Sequence, residues 1–157
     1  MKEAGIVIRE AKRSDAEEIG GMAKDFAVYL RALGDKTNFR FNARTYLRDG
    51  FGANPAFKGF IAEANKVVAG YLLYHGGYDT DRAVRTLYIA DLYVRPEYRR
   101  QGVGKALMQT ALEICQETGG KRIVWTVYTR NRNARRFYWH IGARYIQDML
   151  MMKLPTK

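Results

Sequence analysis

Residues 95–107 read RPEYRRQGVGKAL, which places Arg99, Arg100 and Lys105 around Gly102 and Gly104, just ahead of a helical pattern. Residues of these types at this spacing can hold an anion. The first N–H groups of a helix have no partner within it. The helix dipole puts partial positive charge there, and glycine lets a ligand approach the backbone closely. Gln101 and Val103 complete the turn. The same residues also suit an ordinary basic turn capping a helix, and both readings stay open on these residues alone. Two familiar phosphate loops are excluded. A Walker loop needs Gly where Arg99 stands and Ser or Thr where Ala106 stands, and a dinucleotide fingerprint needs Gly or Ala at Leu107.

Other residues with chemical potential are scattered. Asp91 interrupts an apolar strand pattern, VRTLYIADLYV at 84–94. A carboxylate among apolar neighbours is costly unless it is hydrogen-bonded or near a site. Simple alternation puts Asp91 on the face of Leu87, Ile89 and Tyr93, opposite Ala90. The single cysteine, Cys115, falls on the apolar side of a helix with Leu107, Met108, Ala111 and Leu112, which points to the core rather than to catalysis. His75 and His140 are isolated and lack metal-ligand spacing with Cys115, so no metal site is expected.

The elements that must position these residues follow from periodicity. IVIRE at 6–10 reads as a strand. Ser14 with Glu17 forms a capping-box pattern for a helix carrying Ile19, Met22, Ala23, Phe26, Leu30 and Leu33, ended by Gly34. Residues 43–50 suggest a short second helix. FKGFIAEANKVVAGYLLYH reads as two strands about a turn at Asn65-Lys66, and 84–94 as a third long strand. The helix after the basic turn ends at Gly119-Gly120. RIVWTVY is a strand, NARRFYWHIG a short helix, and ARYIQ and MLMMKL a closing pair of strands. The order predicts one mixed α/β sheet with helices packed on it.

The chain has 157 residues with 47% apolar residues, enough for one domain over 1–157 with its own core. No apolar run approaches a membrane span, and the first ten residues lack a signal-peptide core. One cysteine allows no internal disulfide, which suits the cytoplasm. The formal charge of +11 fits an anionic partner or cofactor, and its arginines are too dispersed to make nucleic acid the leading expectation.

The stretch LYVRPEYRRQGVGKALM, residues 92–108, resembles the acetyl-CoA motif of the GCN5-related N-acetyltransferases. That pattern of Arg or Gln, two residues, Gly, one residue, Gly or Ala is met by Arg99, Gly102 and Gly104. A second signature of the family resembles NRNARRFYWHIGARY, with Asn131, Ala134, Phe137-Tyr138 and Gly142 in the matching places. The resemblance runs from about residue 6 to 154. LRDGFGANPAFKGFIAE and GYLLYHGGYDTDRAVRTLYIADLYV are similar to the diamine and polyamine branch. It implies a mostly antiparallel mixed sheet with helices on both faces, acetyl-CoA as co-substrate and a small-molecule amine as acceptor. By motif position, the backbone of residues 100–105 holds the pyrophosphate. Leu92, Tyr93 and Val94 pair with the pantetheine arm where their strand diverges from the next. Asn131 and Ala134 help hold that arm, and Tyr138 protonates the departing thiolate. Family members often form homodimers.

The chain departs from the polyamine branch at the base. That branch has Glu just before the strand Asp, and here the pair is Ala90-Asp91. Asp91 acting through a water is the expected base, helped by the bulge that the family has in this strand. A structural Asp bonded to backbone donors is the alternative, as is bulk water or another carboxylate. Asp79 matches one substrate-holding carboxylate of the branch, whereas Arg31 stands on the helix that should bear others. A zwitterionic or carboxylate-bearing amine is therefore expected to outrank a polyamine. The rival readings are a non-catalytic acyl-CoA-binding module, motivated by the missing Glu, and a nucleic-acid-binding protein, motivated by the charge.

Overall fold

The computed structural model describes residues 5–156. Five strands form one sheet in the order β1 (Ile6–Glu10), β2 (Lys58–Ala64), β3 (Val67–Asp79), β4 (Val84–Val94) and β5 (Gly120–Trp125). The first four pair antiparallel, and β5 runs parallel to β4. The mixed, mostly antiparallel sheet expected from the resemblance is what forms. The β2–β3 hairpin closes through Asn65 and Lys66 at φ 52° and 67°. Two positive φ values match the right-handed twist of the flanking strands.

Four helices cover the sheet: α1 (Ala16–Ala32), α2 (Ala43–Gly50), α3 (Val103–Glu117) and α4 (Arg132–His140). α1 and α2 bring Ile19, Met22, Ala23 and Tyr46 onto Ile61, Tyr71, Leu73 and Tyr93. On the opposite face α3 lays Val103, Leu107, Met108, Ala111 and Cys115 against Phe60, Ala62, Leu72, Leu87 and Ile89. Helices therefore lie on both faces. α4 packs on the α3 side through Phe137 and Tyr138. Cys115 is buried, as its place in the apolar pattern requires.

Three expectations are corrected. Ser14 does not cap α1; it sits in a 3₁₀ turn over Arg13–Asp15, and Asp15 takes the Lys12 N–H at 2.7 Å. Leu112 is 44% exposed, because 15 residues of straight helix rotate it off the stripe made by 107, 108, 111 and 115. The closing strands ARYIQ and MLMMKL do not form within the described residues. A strand exists only where a neighbouring edge pairs its backbone, and among the described residues no strand pairs with residues 143–156.

Candidate active site

β4 carries the departure from regularity that organises the site. Leu73 pairs with Asp91 and Tyr74 with Ile89, so Ala90 is an extra residue with no partner. One extra residue in a strand of period two inverts every side chain beyond it. Leu87 and Ile89 face α3, but Asp91 and Tyr93 join Tyr71 and Leu73 on the α1 face. The alternation expected from sequence placed Asp91 with Leu87 and Ile89, and the bulge at Ala90 overturns it.

The bulge also marks where the sheet opens. β4 and β5 pair from Arg85↔Gly120 only as far as Ile89↔Trp125. From Asp91 to Val94, β4 stays bonded to β3 and is unpaired on its β5 side. The RIVWTVY strand expected from sequence stops at Trp125 for this reason. Arg95 donates its N–H to Ala69 on β3 at 2.8 Å, so alternation turns the peptide groups of Leu92 and Val94 toward the gap.

Below the gap the basic turn enters α3. Arg100 has φ 60° and Gly102, the residue before the first helical turn, φ 88°. The Ala106 N–H is the first to find a helical acceptor, Gly102, at 2.9 Å. The N–H groups of Val103, Gly104 and Lys105 are left at the positive end of the helix dipole. Val103 turns its side chain into the core, so only its backbone faces the turn. Gly104 has a further reason to lack a side chain: a Cβ there would lie 3.2 Å from the Phe137 ring of α4. Arg100 and Lys105 are exposed and form no ion pair among the described residues, whereas Gln101 donates to the Glu97 carbonyl at 2.7 Å. Arg99 is already engaged. Its Nε donates to the Val94 carbonyl at 2.9 Å, and its guanidinium lies over the Tyr29 and Tyr93 rings at 5.4 and 5.5 Å.

α4 supplies the far wall. Asn131 is buried, and its Oδ1 accepts from the Ala134 N–H and the Tyr29 hydroxyl, both at 3.1 Å. It thus caps α4 and ties α1 to it. Tyr138 packs against Trp125 and Phe137, with ring centroids 4.9 and 5.2 Å away. Burial pushes its phenol well above the ordinary range, and the Asp91 carboxylate adds to this. Its hydroxyl makes no hydrogen bond among the described residues and is not a sealed polar atom. Asp91 keeps some solvent exposure. Its Oδ2 accepts from the Tyr71 hydroxyl, and Oδ1 has no side-chain donor among the described residues. Burial raises the Asp91 carboxyl to about 6, against the lowering effect of Tyr71 and the Leu92 N–H.

This arrangement is an edge strand opened beside a helix N-terminus, with a carboxylate and a phenol flanking the gap. The profile described as Acetyltransferase (GNAT) family matches residues 26–143. The chain belongs to the GNAT acetyltransferase family. The thialysine N-epsilon-acetyltransferase of Sus scrofa is 33% identical over 153 residues, covering 92% of this chain and 88% of its own. Spermidine/spermine N(1)-acetyltransferase-like protein 1 of Homo sapiens is 30% identical over 143 residues, covering 87% of this chain and 20% of its own. These relatives place the chain with the diamine and polyamine acetyltransferases. Among solved structures, an integron cassette protein of V. cholerae superposes with a TM-score of 0.78 at 23% identity, covering 96% of this chain and 93% of the other. This GNAT protein is an N-acetyltransferase.

Two residues of the candidate site had no role in the sequence reading. Tyr71 and Tyr29 meet Asp91 and Asn131 only across the sheet and between helices, 20 and 102 residues away in the chain. Neither Asp79 nor Asp35 is free to build an acidic cradle of the kind the polyamine branch has. Asp79 pairs with Arg82 and Arg122 at 3.2 and 3.0 Å, at the opposite end of β4 from Asp91. Asp35 folds back on Thr37. Arg31 donates to the Thr37 carbonyl rather than toward Asn131, because it lies about half a turn around α1 from Tyr29. No helix among the described residues is long and apolar enough to cross a membrane.

Proposed function

We propose that this acetyltransferase uses acetyl-CoA to acetylate the side-chain amine of a small, carboxylate-bearing molecule, by direct transfer. The observation that carries the reading is the end of β4–β5 pairing at Ile89↔Trp125, which leaves Leu92 and Val94 unpaired above the α3 N-terminus. The unpaired edge fits an amide-bearing arm that adds to it as a strand would. The free N–H groups of residues 103–105, with Arg100 and Lys105, fit a pyrophosphate. When bound, acetyl-CoA supplies an activated acetyl thioester.

Asp91 takes one proton from the acceptor ammonium, directly or through a water on Oδ1, and so frees the nitrogen lone pair. Tyr138 gives its proton to the sulfur as the carbon–sulfur bond breaks. An ordinary thiol titrates near 8.5 and an ordinary phenol near 10. Burial widens that difference, so complete transfer from Tyr138 alone runs uphill by at least about 2 kcal/mol. Tyr138 therefore recovers a proton from the nitrogen as it gives one up, and Asp91 releases its own to solvent. The main-chain N–H of Val94 serves the carbonyl oxygen. Buried Cys115 takes no part.

Three observations favour a carboxylate-bearing acceptor over a polyamine. Asp79 is committed to two arginines. The chain carries +11. The relative named for thialysine, an amino acid, matches over more of both chains than the relative named for spermidine and spermine. Thiol release measured with thialysine, ornithine, spermidine and spermine tests the reading. The expected order by kcat/KM puts the amino acids first. Spermidine in first place, with an advantage that shrinks as salt rises, would refute it.

The proposal includes a homodimer in the cytoplasm. The run Met149–Leu154 leaves Met149, Leu150, Met151, Met152 and Leu154 exposed at 69–92%, which favours cover by a second copy. A monomer in sedimentation equilibrium would remove that part. Neither the site nor the relatives favour nucleic acid as a partner.

A further inference from the structure

Tyr71 is fully buried on β3 and donates its hydroxyl to Asp91 Oδ2 across the β3–β4 pair. The contact depends on the bulge. Were Ala90 paired in regular alternation instead of bulged out, Asp91 would point to the α3 face and Tyr71 would have no acceptor there. Apart from the Leu92 N–H, the surroundings offer the carboxylate little else. Tyr138 on α4 is near enough to feel its charge, and Tyr93 lies one pair along on the same face as Asp91. α1 brings Met22 and Phe26 to that face and β2 brings Ile61, all apolar. Asp25 and Arg99 bear on Tyr93 rather than on Asp91. No cation pairs with Asp91 among the described residues.

We propose that Tyr71 is a positioning residue for acetyl transfer: its hydroxyl holds Asp91 as an ionised carboxylate beside the gap, with Oδ1 left to accept the proton. The proposal rests on the reading of Asp91 as base. A buried carboxylate with neither cation nor donor takes up a proton and stops being a base at neutral pH. An arginine or lysine in Tyr71's place would hold the charge too firmly, since an adjacent cation lowers a carboxyl below the range in which it exchanges protons near neutrality. A neutral phenol supports the charge without pairing it. The bulge and Tyr71 together are how this chain manages with alanine at position 90.

The test follows Asp91 in the whole, substrate-free protein by ¹³C resonance of labelled aspartates, its signal assigned by loss in Asp91→Asn. The pH profile of kcat/KM is measured alongside, with thialysine and acetyl-CoA as probe substrates. Removing a donor to a charged acceptor, as in Tyr71→Phe, should raise the carboxyl titration by about one pH unit or more. The acid limb of the rate profile should move with it, making the variant about tenfold slower at pH 5 and close to wild type at pH 9. Site-specific 3-fluorotyrosine at position 71 keeps the ring's shape and donates more strongly, so both readouts should move toward acid. A folded Tyr71→Phe protein in which neither moves would overturn the proposal. If the carboxyl titration moves while the rate limb stays, and Asp91→Asn keeps that limb, the base reading itself fails and the role of Tyr71 fails with it.

Discussion

Asp15 and Asp91 are both carried into the α1 side of the sheet, and they are held in opposite ways. Asp15 takes two hydrogen bonds from the Arg9 guanidinium, at 2.9 and 2.8 Å, and a third from the Lys12 N–H. Burial pushes its carboxyl up, but Arg9 and Lys12 more than offset that, and it ends below the ordinary range. Asp91 has a phenol and no cation, and burial prevails. A buried carboxylate clamped by a guanidinium keeps its charge at any physiological pH and serves as a joint. One held by a neutral donor sits near the pH at which it can take a proton and give it back. Asp15 has more donors than Asp91, and it alone has a cation among them.

The largest effect expected from this contrast is on turnover. Asp91→Asn should lower kcat by roughly 10²–10⁴-fold, the range for a general base, while the protein stays folded. Asp15→Asn should leave kcat per folded molecule unchanged. Steady-state kinetics on both variants checks this, and a fully active Asp91→Asn would collapse the distinction.

Tyr138→Phe separates proton delivery from proton removal. It should lower kcat by a similar factor while leaving untouched the rise in melting temperature that acetyl-CoA produces. A lost thermal shift would make Tyr138 part of the binding surface instead. The phosphate side is probed in the same assay. Arg100→Glu with Lys105→Glu should abolish the shift. That pair is cleaner than any change at Gly102, whose φ of 88° strains every other residue.

Stability should show the reverse ranking. Asp15→Asn leaves Arg9 without its bidentate partner and should cost roughly 3–5 kcal/mol. The lower end is expected, because Arg9 is 29% exposed and keeps Glu63 at 2.7 Å. Calorimetry should then find a melting temperature about 5–12 °C lower. Asp91→Asn should hold or raise it.

The smallest effect is a difference in slope. Asp91 is raised in the folded state, so its contribution is full below about 4 and is lost as pH climbs through about 6. Asp15 is lowered, so its contribution is full above about 4 and is lost as pH falls below that. Denaturant midpoints from pH 3 to 7 should show Asp91→Asn removing a decline between pH 4 and 6. Asp15→Asn should instead remove a rise at the acid end. Over the first of these windows kcat/KM should climb, with an apparent pKa of about 6.

Much of this was legible in the chain. The limits of β4 came out at 84 and 94 as its pattern implied, because a run of apolar and aromatic residues between a turn and Pro96 leaves a strand few alternatives. Asn65-Lys66 marked its hairpin, and Gly102 and Gly119 bracket α3 at positive φ. Arg99, Gly102 and Gly104 were named from spacing as a turn that could hold an anion, because the donors of such a turn lie within a few residues of one another, whereas Asn131 and Tyr138 came from the resemblance to the family signature. The segment at 143–154 misled because an alternating apolar pattern specifies a strand only if an edge is there to receive it.

The sequence by itself determined most of the elements and the basic glycine turn ahead of α3, since each depends on contacts within about one turn or one hairpin. Only the tertiary structure decided which side of the sheet Asp91 faces and what holds it there. A single unpaired residue at Ala90 inverts the alternation, and whether it bulges depends on the register against β3. That register is set by hydrogen bonds between residues about 20 apart, so no local pattern reports it.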